Sequence, residues 1–509
     1  MTVQASAQFA EQAPTGELRR SSPIVRTALA LLSVQGVTWT TTLVGILVVP
    51  RFLGADRLGG LAAASMLAAI IALVSAFGTT NQIVRSVARD RSHAANIVAH
   101  AIVLRLGIWV PAMVVTFIAG WFVFDSRSYL LVVMLMVAAT GVSLVSGALV
   151  AGLQGNQSLG RVSLVTAGIG VIAQAVTVLV VVRGGELVAL SALALAVTTL
   201  TAIVTGALFW TRLRGPIRLS RTMLVGVASG GLGFLAWDLA LQIYGAIDYL
   251  LLATLTDATT VGNYAFAYRL AGIPVFASTI ATAAIYPVLA AAARKDDEWF
   301  RRVLAYGIRV VLIVTLPLAI GLAALAPEIT KLVAPGQSFS MSAPLLIILA
   351  FHIPLAAIHT VMGAAMFARD LQRRMAVVGW TAAALSVGAN VVAIPAADRL
   401  WSNGAIGAAA VTVAIECFVG FWIWRGLGAH LERRRITGIG LRALLACAAM
   451  ALAARASLPL GGVFLAVPVG GFVYAIGAIG LRLVTWEQVR RLRFAASSPG
   501  DASPSAERA

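Results

Sequence analysis

"LGADRLGGLAAASML" (residues 53–67) and "TDATTVGNYAFAYRL" (256–270) read as one unit used twice. Each carries an acid in a short loop, Asp56 or Asp257, and then a glycine, Gly59 or Gly262. An Ala-rich helix follows in each case, then a basic turn, and the next apolar run has a proline midway, Pro111 or Pro317. The two copies lie six candidate helices apart, so both halves enter the bilayer in the same sense. That pattern predicts a parallel repeat about the membrane normal, with a cavity between two lobes.

The rest of the chain supplies the helices this reading needs. Of 509 residues, 60% are hydrophobic and 11% charged, and the mean hydropathy of +0.92 lies far outside the range of a soluble domain. Apolar runs of about 20 residues or more, long enough to cross a bilayer core, recur from Ile24 to Val484. The expectation is an all-α integral membrane protein of about 14 transmembrane helices, with two six-helix lobes and two extra C-terminal helices. Its parts are a cytoplasmic N-terminal tail (1–23), an N-lobe (24–210), a C-lobe (224–424), helices 13 and 14 (438–484) and a cytoplasmic C-terminal tail (485–509). The run from Ile24 to Pro50 exceeds the h-region of a signal peptide, so it reads as an uncleaved first span.

Charge placement sets the orientation. With the amino terminus inside and loops assigned alternately, 29 of the 38 basic residues fall on the cytoplasmic side and seven outside, and only Arg105 and Arg269 fall within the membrane. This is the positive-inside bias, and it puts both termini in the cytoplasm. It also accounts for the net charge of +18 without nucleic acid, because the excess is spread over loops facing anionic lipid. Cys417 and Cys447 lie in apolar runs without a second cysteine or a histidine at ligand spacing, so neither a metal nor a disulfide is expected. No GxxxxGK[ST] sequence occurs, which excludes a P-loop motor. No cofactor is expected.

"VPRFLGADRLGGLAAASML" (49–67) resembles the PR-x-LG-x-x-x-x-G signature of polysaccharide exporters of the MOP superfamily. "AIDYLLLATLTDATTVGNYAFAYRLAGIPVFASTIATAAIYPVLA" (246–290) is similar to that family's D-x(n)-VG-x-Y-x-x-A-x-R-L block. The resemblance implies a MATE-like fold that flips a lipid-linked saccharide from the inner to the outer leaflet. The implied partners are membrane lipids and the glycan polymerase or glycosyltransferases of the same pathway. Lipid II flippases of the superfamily carry arginines on the first two helices. Here the first span offers only Gln35 and Trp39, which argues against lipid II as substrate.

Candidate site residues follow from the cost of charge in lipid, about 2.5–3.5 kcal/mol for an Arg at mid-helix on insertion scales. The deep ionisable residues are Arg105, Asp238, Asp248, Arg269 and Glu416. Asp248 and Arg269 lie at equal depth on either side of one short loop, which predicts that they pair. In that reading Arg269 exchanges the carboxylate for a substrate phosphate, a choice its planar fork permits. Trp237, Leu241, Tyr244 and Asp248 share one helical face, an aromatic and acidic strip suited to a sugar. His352 and His359, seven residues apart, are candidates for ion coupling, with buried structural histidines as the alternative. The glycines from Gly226 to Gly233 read as close helix packing. Together these features predict a flippase and no enzyme. The rival readings are a cation-coupled multidrug exporter on the same fold, a lipid II flippase and a membrane-embedded glycosyltransferase. The absence of any acid within the first six spans weighs against the drug exporter, and the short loops weigh against the glycosyltransferase.

Overall fold

The computed structural model describes residues 40–156, 159–213, 215–336, 339–369, 371–428 and 431–483. The two tails, the start of the first span with Gln35 and Trp39, and the side chain of Trp237 lie outside the described residues. The described chain is helical throughout, without a strand. In order, the helices are α1 (Thr40–Leu53), α2 (Ala55–Ala76), α3 (Thr79–Arg89), α4 (Ala94–Val123), α5 (Arg127–Gly155), α6 (Leu159–Val182) and α7 (Leu187–Arg212). They continue as α8 (Arg221–Leu255), α9 (Ala258–Lys295), α10 (Asp297–Ala324), α11 (Ala326–Val333), α12 (Ser342–Ala350) and α13 (His352–Ala368). The last are α14 (Gln372–Trp401), α15 (Gly404–Leu427) and α16 (Arg433–Gly480). Among the described residues, 11 helices are long and apolar enough to cross a membrane.

The chain divides into two compact units. One contains residues up to Phe52 and Ala64–Leu239; the other contains Leu53–Ala63 and Ala240 onward. The boundaries run inside α2 and α8.

In the first unit, the second apolar run is broken at Phe77 (φ 50°) and Gly78 (φ 62°), which separate α2 from α3. The break is held against the glycine-rich part of α8. A Cβ on Gly78 would stand 2.3 Å from the Gly231 carbonyl oxygen, and one on Gly231 would stand 2.3 Å from that of Phe77. These glycines let two backbones touch, as the run Gly226–Gly233 predicts.

In the second unit, the repeat seen in the sequence becomes a contact. A Cβ on Gly59 would meet the Ala258 carbonyl oxygen at 1.7 Å, and one on Gly262 would meet that of Ala55 at 1.8 Å. The relation is reciprocal: the fifth residue of α2 lies on the first of α9, and the fifth of α9 on the first of α2. The two motifs thus cross at a local pseudo-two-fold axis. Asp257 caps α9, accepting from the Thr260 N–H at 2.6 Å. Pro111 and Pro317, the other repeated feature, both sit inside helices, α4 and α10. At the C-terminal end, α16 breaks its helical geometry at Gly461 and Gly462 (φ 60°), between the two extra spans expected there.

Candidate functional site

Buried polar side chains of the second unit converge from α8, α9, α13, α14 and α15. Tyr244 and Asp248 stand one turn apart on α8, so they share a face. They border a cavity of about 60 Å³ together with Tyr268 of α9, His352 of α13, Ser386 of α14, and Thr412 and Glu416 of α15. That is room for a few water molecules.

Two carboxylates organise the cavity. Asp248, 5% exposed, accepts hydrogen bonds from the Tyr264 hydroxyl, from the Tyr249 N–H at 2.9 Å and from Thr412 Oγ1 at 3.5 Å. Tyr264 is fully buried and stacks edge-on with Tyr249, ring centroids 5.1 Å apart. Glu416 accepts from the Tyr244 hydroxyl through Oε1. His352 Nδ1 lies 3.3 Å from the same oxygen, and His359 Nδ1 lies 2.5 Å from Oε2. These are ion-pair distances, but the angles are not those of hydrogen bonds. Both Nδ1 atoms and Glu416 Oε2 are buried without a hydrogen-bond partner among the described residues. One turn beyond Glu416, Gly420 leaves the space that His359 fills; a Cβ there would stand 2.6 Å from His359 Nε2. The result is an acid clamped between two imidazoles and a phenol.

The expected pair of Asp248 with Arg269 does not form. Asp248 takes Tyr264 instead, and the reason is angular. Residues 264 and 268 are one turn apart and face the acid together, whereas Arg269 is rotated from Tyr264 by about 140° around α9. Rotation about the helix axis decides the contact. Half-buried Arg269 has no ion pair and no side-chain hydrogen bond among the described residues.

The other sequence candidates are dispersed. Arg105, 2% exposed, is committed to the first unit. Its Nε donates to Thr79 Oγ1 at 2.8 Å, its Nη1 to the Leu144 carbonyl oxygen at 2.8 Å and its Nη2 to Thr80 Oγ1 at 2.9 Å. It therefore secures the start of α3 just past the helix break. Asp238 belongs to the first unit and does not line the cavity. Sequence reading missed Tyr264, Tyr268, Ser386 and Thr412. The two tyrosines carry an i, i+4 signal directly beside Arg269, but nothing in one chain of residues tells which acid they meet.

The motif "VGNYAFAYRL" can now be read residue by residue. Gly262 admits the α2 backbone, and Asn263 Oδ1 accepts from Ser342 Oγ at 2.8 Å. Tyr264 holds Asp248, Tyr268 lines the cavity and Arg269 is left uncommitted.

A double-mutant cycle checks the Asp248 assignment. Tyr264→Phe removes a buried hydrogen bond to the Asp248 carboxyl group and should cost about 0.5–1.5 kcal/mol. Asp248→Leu leaves the buried Tyr264 hydroxyl with Thr412 Oγ1 alone, at 3.2 Å, and the double variant should recover part of that loss. Thermal unfolding in detergent is the measurement. Strict additivity for Asp248 with Tyr264, or coupling of Asp248 with Arg269, contradicts the geometry.

A family model described as polysaccharide biosynthesis protein matches residues 24–293, more than half of the chain. The chain belongs to the polysaccharide biosynthesis protein family. It is similar in fold to a solved lipid II flippase, MurJ, in an inward closed conformation, with TM-score 0.72 and 12% identity over 90% of this chain and 99% of that one. It is also similar to an inward-facing multidrug resistance MATE family transporter of the MOP superfamily, with TM-score 0.57 and 16% identity over 79% and 98%. A eukaryotic MATE transporter follows with TM-score 0.52 and 14% identity over 84% and 99%. At these identities the solved structures establish the MOP fold alone. No curated protein matches the sequence. The family match agrees with the polysaccharide-exporter resemblance of the two quoted motifs, and the solved structures show that the chain shares the fold of these membrane transporters.

Proposed function

We propose that this protein moves a lipid-linked oligosaccharide on an undecaprenyl-type carrier from the inner to the outer leaflet of the plasma membrane, for cell-surface polysaccharide synthesis. Both termini face the cytoplasm in this reading. The observation that carries it is Arg269, a half-buried arginine in the family-matched region without a carboxylate partner. A cation held in lipid without a counter-charge is a site for an anion that arrives, and the phosphate of a lipid carrier has the right charge and the right amphiphilic attachment. The test is reconstitution. Proteoliposomes loaded with a fluorescent undecaprenyl-diphosphate oligosaccharide should expose the label to an external quencher, whereas a panel of cationic drugs should not be transported. The converse result supports the multidrug exporter, and transport confined to lipid II supports that rival.

In the same proposal, protons passing through Glu416, His352 and His359 couple an ion gradient to transport, with Asp248, Tyr244 and Tyr268 as the neighbouring titratable groups. Glu416→Gln keeps an acceptor for the Tyr244 hydroxyl but cannot change charge. An imposed pH gradient should accelerate transport by the wild type and leave the rate of Glu416→Gln unaltered. An equal response in both proteins would remove Glu416 from coupling.

A further inference from the structure

Where α13 and α15 end and α14 begins, the second unit has a groove of about 460 Å³. Its walls include Val377 and Val378 of α14 and Trp422 of α15, and its charge comes from Arg373, Arg374 and Arg425. None of the three arginines has an ion pair or a side-chain hydrogen bond among the described residues. The contrast with Arg369, in the same turn, is direct. Arg369 pairs with Asp297 and lies over the Phe300 ring, 4.4 Å from its centroid. Acids are thus within reach of this end of the unit, yet none lines the groove.

We propose that the groove binds an anionic glycerophospholipid of the surrounding leaflet, with the headgroup phosphate on the three guanidinium groups and an acyl chain along Val377, Val378 and Trp422. Three facts on this surface favour that occupant. The apolar walls suit a hydrocarbon chain, and uncompensated guanidinium groups suit phosphate, which they bind in forked pairs. The lining includes no hydroxyl, amide or carboxylate side chain with which to read sugar hydroxyls, so a saccharide head finds little there. The position also agrees with the positive-inside orientation, in which this basic end meets the anionic leaflet, and Trp422 takes the interfacial place common for tryptophan. The groove is separate from the Glu416 cavity, and the proposal holds whichever saccharide is transported.

The experiment uses the full chain in nanodiscs and detergent. Phosphatidylglycerol should remain bound in native mass spectra and should raise the melting temperature on addition, and phosphatidylcholine should do neither. Replacing Arg373, Arg374 and Arg425 together by glutamine should weaken phosphatidylglycerol binding on the order of 100-fold. Replacing all three by lysine should retain much of it, which separates lost charge from misfolding. Equal binding of the two lipids, or unchanged binding by the glutamine variant, overturns the proposal. So does displacement of phosphatidylglycerol from the wild type by equimolar undecaprenyl phosphate, because the groove would then be a substrate site.

Discussion

Arg269→Ala should abolish transport while leaving the amount and the melting temperature of the folded protein at wild-type levels. The two halves of this expectation have different causes. Transport fails because the variant has lost a half-buried cation that has neither an ion pair nor a side-chain hydrogen bond among the described residues. Folding persists because the substitution strands no partner. Breaking a buried ion pair typically costs about 3–5 kcal/mol, but Arg269 belongs to no such pair. Removing it even relieves the cost of inserting an arginine in lipid. Arg269→Lys should support reduced transport, since an ammonium retains the charge and loses the planar fork. The variants are compared at matched membrane levels, by rescue of surface polysaccharide in cells lacking the native protein and by calorimetry of the purified protein. Full transport by Arg269→Ala ends its role in substrate binding. A large fall in melting temperature points instead to a structural partner.

Gly262→Val should leave little folded protein. The new Cβ would lie 1.8 Å from the Ala55 carbonyl oxygen, and a backbone oxygen cannot rotate away as a side chain can. The starts of α2 and α9 would have to part by more than an ångström. Overpacking in a well-packed core costs about 1–3 kcal/mol, and a clash of this kind with backbone belongs at or above the upper end. Gly59→Val should do the same, because the contact is reciprocal. Gly272→Ala, elsewhere on α9, is the control: a Cβ there meets nothing within 4 Å. Size-exclusion profiles of fluorescent fusions report the monodisperse fraction. A wild-type profile for Gly262→Val would falsify the close crossing.

That the chain is a helical membrane protein is legible in its residues, because apolar runs of spanning length are set by the bilayer and need no tertiary information. The repeat is legible there too. Asp257 and Gly262 recur as Asp56 and Gly59, and both glycines serve one crossing whose geometry is local to two helix starts. Position within an apolar run put Arg269, Asp248 and Glu416 among the candidates, and a seven-residue spacing did the same for His352 and His359. Partner choice was not legible. Which side chains meet depends on the rotation of each helix about its axis and on neighbours far away in sequence, and neither is encoded in spacing along one helix. Glu416 meets two histidines and a tyrosine from α13 and α8. Asp248 meets Tyr264, and Arg269, at the depth of Asp248, turns elsewhere. Only the packing of the helices decides that Arg269, a phosphate candidate from its sequence position, has no carboxylate partner among the described residues, because helix rotation is a property of the assembled bundle.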